Sequence, residues 1–155
     1  MRKLGRIGVL AVLGLWAPTA MAGETKIPLD KVPKAVGDAF KKKFPEATLK
    51  AAIKEEMDGK VTYELESTLK GGLTLDAVLT PAGEFVAIEK EIKTADLPAK
   101  ALAAVKEKYP KASLEKAEVV DTKGKVSYEA VVKKADGKSA TLLFDKDGKL
   151  LGEEK

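Results

Sequence analysis

A block of this chain is repeated after 65 residues without a gap, and that repeat narrows the possible folds more than any other feature. Pro33, Phe44, Pro45, Ala47, Leu49, Gly59, Val61, Tyr63, Glu64 and Gly83 align with Pro98, Tyr109, Pro110, Ala112, Leu114, Gly124, Val126, Tyr128, Glu129 and Gly148. Setting residues 33–90 over 98–155 gives 17 identities in 58 pairs, and they fall on turn formers and apolar positions rather than on catalytic residue types. Self-similarity of this kind marks a duplicated folding unit. It speaks to how the chain packs and leaves open what the chain touches.

Residues 1–22 read as an export signal. Arg2, Lys3 and Arg6 form a positive head, residues 7–16 an apolar stretch, and Ala20, Met21 and Ala22 a small-x-small cleavage site before Gly23. The apolar stretch is short for a membrane span, so cleavage between Ala22 and Gly23 and a periplasmic or secreted location are expected, with no stable span afterwards. Cleavage removes three of the 28 basic residues and leaves 25 Lys against 24 Asp plus Glu. The net charge then lies near neutrality, and nucleic acid is not an expected partner.

The remaining chain has no Arg, Trp, His or Cys. Without imidazole or thiolate, the usual ligands for zinc, copper, haem and iron–sulfur clusters are missing, as are Ser–His and Cys–His nucleophile pairs. No cofactor, no metal site and no catalytic residue are expected. An exported protein without disulfides relies on its core. About 133 residues suffice for one, whereas a single unit of about 60 buries too little, so the two copies are expected to pack on each other.

Two helices are expected, over residues 32–43 and 97–108. Val36, Ala39, Phe40 and Phe44 share a face at three- and four-residue spacing, as do Ala101, Ala104, Val105 and Tyr109. Pro33 suits a first turn, Asp96 is placed to cap the second helix, and Pro45 and Pro110 end the two elements. Val61, Tyr63 and Leu65 alternate with Thr62, Glu64 and Glu66, and Val126, Tyr128, Ala130 and Val132 repeat the phase. Turn residues at Asp58-Gly59, Gly71-Gly72 and Gly83 recur as Lys123-Gly124, Asp136-Gly137 and Gly148, which predicts antiparallel meanders. Leu49, Ala51 and Ile53 read as an alternating stripe, while Leu114, Ala117 and Val119 break step, as at a bulge. The resulting expectation is an α+β fold of two tandem repeats, each an amphipathic helix packed on a four-stranded antiparallel β-meander. Residues 23–31 are an extended lead-in, 32–90 the first repeat and 91–155 the second, with a short charged link over residues 89–95.

This pattern resembles the PepSY-like, β-lactamase-inhibitor-like group of exported bacterial domains. Val32-Pro33 and Leu97-Pro98 open a helix; Phe44-Pro45-x-Ala47 and Tyr109-Pro110-x-Ala112 close it. Gly59-x-Val61-x-Tyr63-Glu64 and Gly124-x-Val126-x-Tyr128-Glu129 open a strand, and Phe144-Asp145-x-x-Gly148-x-Leu150-Leu151 closes the domain. The resemblance implies a periplasmic or secreted, non-enzymatic module that binds or inhibits another protein.

Four local motifs invite chemistry and have plainer readings. Asp145-Lys146-Asp147-Gly148 looks like the start of a calcium loop but lacks the later ligands, so a hairpin turn is expected. Tyr63-Glu64 and Tyr128-Glu129 pair a phenol with a carboxylate, yet adjacent strand residues point to opposite faces, so a structural Tyr beside a solvated Glu is expected. Lys138-Ser139 needs a buried Lys to act as a dyad. Lys41, Lys42 and Lys43 complement a helix C-terminus.

The leading expectation is an exported binding module, an inhibitor or modulator of an envelope protein, with no chemistry of its own. A carrier of small molecules or ions in a groove between the repeats is the alternative. An enzyme built on Lys, Asp, Glu, Ser or Tyr is a third reading, with no nucleophile–base pair visible in the spacing. The expected partner surface is the sheet face away from the helices, with Thr62, Glu64, Glu66, Ser127 and Glu129, together with residues 89–95.

Overall fold

A computed structural model describes residues 23–154. The expected signal peptide and its cleavage site lie outside them, apart from Gly23 itself. The strands are β1 (Gly23–Ile27), β2 (Thr48–Met57), β3 (Lys60–Thr68), β4 (Thr74–Leu79), β5 (Phe85–Ile92), β6 (Ser113–Thr122), β7 (Lys125–Lys133), β8 (Ser139–Asp145) and β9 (Leu150–Glu154). Helix α1 (Lys34–Lys43) precedes β2 and helix α2 (Ala99–Lys108) precedes β6, each after a short 3-10 turn. The segment expected as an extended lead-in is therefore edge strand β1 followed by the turn Leu29–Lys31.

The expected α+β arrangement of two separate helix-on-meander repeats is incorrect. All nine strands form one antiparallel sheet in the order β1 to β9, and the described residues are 52% strand and 20% helix. Residues 88–92 are the reason. Instead of linking two modules, they continue β5 and pair with β6 from Ile88↔Asp121 to Ile92↔Ala117. A strand edge left open presents a row of unpaired N–H and C=O groups. Joining the two meanders at that edge satisfies both rows, and the repeats share a sheet instead of stacking on one another.

The prolines place the helix ends. Pro33 and Pro98 are the N-caps, with ψ of 140° and 139°, so the helices begin at Lys34 and Ala99 rather than at residues 32 and 97. Asp96 lies in the preceding 3-10 turn and α2 has no side-chain cap. At the other ends Phe44 and Tyr109 leave the helical region before their prolines, and their N–H groups donate to Phe40 and Val105 carbonyls.

Both helices lie on the same face. Val36 and Phe40 of α1 pack with Ala52, Leu65, Leu75, Ala77 and Leu79; Leu97, Ala101 and Val105 pack with Ala117, Ala130, Val132, Ala140, Leu142 and Phe144. Strand β5 bridges the two cores, Ile88 against the first and Ile92 against the second. Gly83 and Gly148 pass beneath the helix N-termini, where a Cβ on Gly83 would lie 2.6 Å from the Ala35 carbonyl oxygen and one on Gly148 2.9 Å from the Ala101 nitrogen. Asp58-Gly59 and Lys123-Gly124 all have positive φ, as the tightest hairpins require.

The bulge expected in the second repeat is present at Leu114/Lys116, and the first repeat has its counterpart at Leu49/Ala51. The alternating stripe of Leu49, Ala51 and Ile53 is accordingly wrong. Leu49 packs with the α1 core, whereas Ala51 and Ile53 pair with Glu66 and Glu64 on the opposite face, and Ala52 turns inward.

Candidate functional site: the helix-free sheet face

Strand pairing brings carboxylates together on the face away from the helices. Glu66 of β3 opposes Asp76 of β4, which opposes Glu89 of β5. Two residues along, Glu91 of β5 opposes Glu118 of β6, which opposes Glu129 of β7. Neighbouring strands lie about 4.8 Å apart, so six acidic side chains stand in two adjacent rungs of three. Glu64 flanks the rungs on β3, and Glu154 flanks them on β9, opposite Thr141. Like charges directly opposed across strands destabilise a sheet, and here they occupy its middle strands.

Their surroundings sharpen the effect. Glu118 and Glu129 are about 95% buried, and Glu89 is 8% exposed. Glu118 has a partner, the Lys116 amine at 2.7 Å. Glu91 accepts hydrogen bonds from the Thr74 N–H and hydroxyl, both at 3.0 Å. Among the described residues no fully buried side-chain oxygen lacks a hydrogen-bond partner. Burial, reinforced by the charges of Glu129, Glu118, Asp76 and Glu64, pushes Glu89 up to about 8. Burial and the charges of Glu118 and Glu154 push Glu129 up to about 7, against the pull of Lys116. Asp76 rises to about 6 through burial and Glu66, with Glu118 adding to it and Lys116 and the Ser67 backbone opposing. For Lys116 burial works toward the neutral amine, but its bond to Glu118 and the charges of Glu118, Glu91 and Asp76 outweigh it, so its pKa is raised. Burial and neighbouring acids thus favour the protonated form of Glu89 and Glu129, while the bond to Glu118 favours the charged form of Lys116.

All five residues expected for a partner surface, Thr62, Glu64, Glu66, Ser127 and Glu129, lie on this face. Thr62 sits beyond the rungs, donating to Glu55 at 3.3 Å, and Ser127 opposes Val120 and Asp145. Tyr63 and Tyr128 point to the helix side and pack with the two cores, as strand alternation requires. The expectation of a solvated Glu129 is wrong, because it is 4% exposed. Asp76, Glu118, Glu154 and Lys116 were not anticipated. Glu89 and Glu91 were, but as part of a link between modules. Register across six strands is what gathers them, and a bulge in each repeat breaks the simple alternation from which register would be read.

The other motifs resolve plainly. Asp145 accepts from the Lys149 and Asp147 N–H groups, each at 2.9 Å, which lowers its pKa and makes an ordinary turn. Lys138 and Ser139 are both exposed, with the Lys138 N–H bonded to Asp136. Lys43 lies over the Phe85 ring at 4.8 Å. Where the alternative carrier reading places a groove between repeats, β5 and β6 are hydrogen-bonded to each other. A pocket of about 430 Å³ lies within the second repeat, against Leu102, Val105, Tyr109 and Leu114. Among the described residues no three acidic side chains converge closely enough to hold a metal ion. None of the described helices is long and apolar enough to cross a membrane.

The sequence matches a family profile described as "Putative beta-lactamase-inhibitor-like, PepSY-like" over two regions, residues 13–77 and 70–152. The chain belongs to this family. Two matches in tandem agree with the internal repeat. No curated protein matches the sequence. Solved structures share the fold. A BLIP-like protein from Bacteroides fragilis is 24% identical, with 78% of this chain and 84% of that one covered and a TM-score of 0.58. A DUF2874 family protein from Bacteroides ovatus is 19% identical over 81% and 88%, with a TM-score of 0.63. A "putative periplasmic" protein from Bacteroides eggerthii is 18% identical over 79% and 88%, with a TM-score of 0.65.

Proposed function

We propose that this protein is an exported, non-enzymatic binding module that works in the periplasm and presents the helix-free face of its sheet to an envelope protein, whose activity it inhibits or modulates. The double carboxylate rung carries the reading. A sheet that needed only to fold would not oppose three acids on consecutive strands, since each direct like-charge pair costs stability. Retained in the middle of the sheet, such an arrangement points to an occupant that compensates it, in keeping with the tendency of perturbed ionisable groups to cluster at functional sites. The family description and the periplasmic description of a structural relative support the same reading. Against catalysis, each Tyr–Glu pair is split across the sheet and the Lys138-Ser139 pair is exposed at the start of β8.

Photo-cross-linking tests it. A cross-linker placed at Thr62 or Ser127 should capture one stoichiometric partner from an envelope extract, and a cross-linker at Lys42, on the helix side, should not. Equal yields from both faces, or none from either, would remove the assignment.

A further inference from the structure

The two repeats are built alike but finished differently at the C-terminal ends of their helices. We propose that the pocket of about 430 Å³ in the second repeat is a binding site for a free amphiphilic carboxylate, its apolar body against Leu102, Val105 and Leu114 and its head on the ammonium groups of Lys106 and Lys134. The site lies on the helix side of the sheet, so it is separate from the proposed partner surface and does not depend on that reading.

Three differences between the copies lead there, each read at positions 65 residues apart. First, the second copy lacks rings that the first copy packs together. Phe40 and Phe44 have ring centroids 5.4 Å apart, and Phe44 meets Phe85 edge-on at 6.0 Å. The matched residues are Val105, Tyr109 and Leu150, and the first two of these line the pocket. Second, the pocket gains a wall, because Leu102 stands on α2 where the first copy has Gly37. A largely apolar space of this size with a few polar groups at its border is the usual make of a small-molecule site. Third, polar groups replace apolar ones beside it. Phe44, Leu69 and Ile88 pack with the first core, and their counterparts are Tyr109, Lys134 and Glu153. The Tyr109 hydroxyl donates to Glu153 at 2.7 Å, the Lys108 amine lies 3.1 Å from the same carboxylate, and the Lys134 amine sits 5.8 Å from the Tyr109 ring centroid.

These features select the ligand. Glu153 is already held by Lys108 and Tyr109. Lys106, which lines the pocket, and Lys134, which overlies its Tyr109 wall, make no ion pair with a carboxylate among the described residues. An apolar space bordered by two such ammonium groups complements a molecule with an apolar body and one anionic end. A cationic amphiphile would meet two like charges there. Lys106 is exposed and Lys134 half-buried, so the head contributes modestly and burial of the apolar body supplies most of the affinity.

Decanoate is the probe, titrated into the protein at pH 7 and followed by proton–carbon NMR of the methyl groups. Saturable shifts should appear at Leu102, Val105 and Leu114 and not at Leu49, the counterpart of Leu114 in the first copy. Val105→Phe, which restores the side chain of the first copy, should weaken binding at least about tenfold by filling the space. Lys106→Gln with Lys134→Gln should weaken it about three- to tenfold, in the range of two exposed ion pairs. Lys41→Gln, the position matched to Lys106, should change nothing. Decyltrimethylammonium, with the same tail and the opposite charge, should bind at least about fivefold more weakly than decanoate. Thermal denaturation checks that each variant folds, and the lysine pair remains decisive should Val105→Phe fail to fold. Absent shifts, equal shifts at Leu49, undiminished binding by the lysine variant or by a folded Val105→Phe, or equal binding of decyltrimethylammonium overturns the inference. Sedimentation with phosphatidylglycerol vesicles separates a free ligand from membrane lipid: the protein should stay in solution, and co-sedimentation that Val105→Phe abolishes would assign the pocket to lipid and overturn the free-ligand reading. Failure on any of these counts leaves the partner surface on the other side of the sheet untouched.

Discussion

Glu89 makes the protein less stable as pH rises, by an amount that can be worked from its surroundings. Its carboxyl titrates near 4.5 in the unfolded chain and at about 8 in the fold. Between those values the folded protein holds a proton that the unfolded chain has released, so stability is full below pH 4.5 and drains away as pH climbs through 8. Each unit of separation is worth about 1.4 kcal/mol, so Glu89 alone costs about 4 kcal/mol by pH 8. Glu129, raised to about 7, acts in the same sense. Urea denaturation at pH 5 and pH 8 measures the difference. Wild type should be several kcal/mol less stable at pH 8, a large share of a typical domain's total. Glu89→Gln should unfold at higher urea than wild type at pH 8 and show a shallower pH dependence. At pH 5, where Glu89 is already neutral, the variant should match wild type within about 1 kcal/mol. Equal wild-type stability at the two pH values, or an unchanged slope in Glu89→Gln, would refute the reasoning.

Three further outcomes follow from packing and hydrogen bonding. Gly148→Ala, with φ +80° and a Cβ that would meet the Ala101 nitrogen and Pro98 Cβ at 2.9 Å, should cost about 2–4 kcal/mol in chemical denaturation, whereas Gly124→Ala, at φ +84° in open space, should cost about 1 kcal/mol. Phe144→Ala, from a fully buried site in the second core, should cost about 3–5 kcal/mol and lower the unfolding temperature accordingly. The Tyr109 hydroxyl donates to Glu153 at 2.7 Å, a bond that raises the phenol's pKa, so Glu153→Gln should return Tyr109 ionisation toward its ordinary value in an ultraviolet titration.

Local features were legible in the sequence and long-range ones were not. Proline at Pro45 and Pro110 must end a helix, and Asp58-Gly59 must turn a hairpin, because those constraints act within a few residues. The inward phase of Tyr63 and Leu65 follows from period-two alternation. The single sheet was hidden because residues 89–95 look like a charged connection, and only pairing with β6 shows Glu89 and Glu91 to be strand residues. The acidic rungs were half visible. Glu64, Glu66 and Glu129 stand at alternating polar positions, but joining them to Asp76 and Glu118 requires the register of four strand pairs. Sequence alternation also cannot say that a polar face will be buried, which is why Glu129 reads as solvated when it is not.

Each repeat contributes four strands, and that number being even has a consequence for how the protein arose. In a meander that grows in one direction, four strands return the chain to its starting orientation, so the second copy is a simple translation of the first. An odd count would reverse the chain direction and turn the second copy over. Its helix would then lie on the other side of the sheet, across the carboxylates of the first copy. With four, duplication lengthens the ribbon while every helix stays on one side and Glu64 and Glu129, the matched positions of the two copies, stay on the other. Further copies could be added by the same step, each extending the open side by four strands without disturbing what is already there.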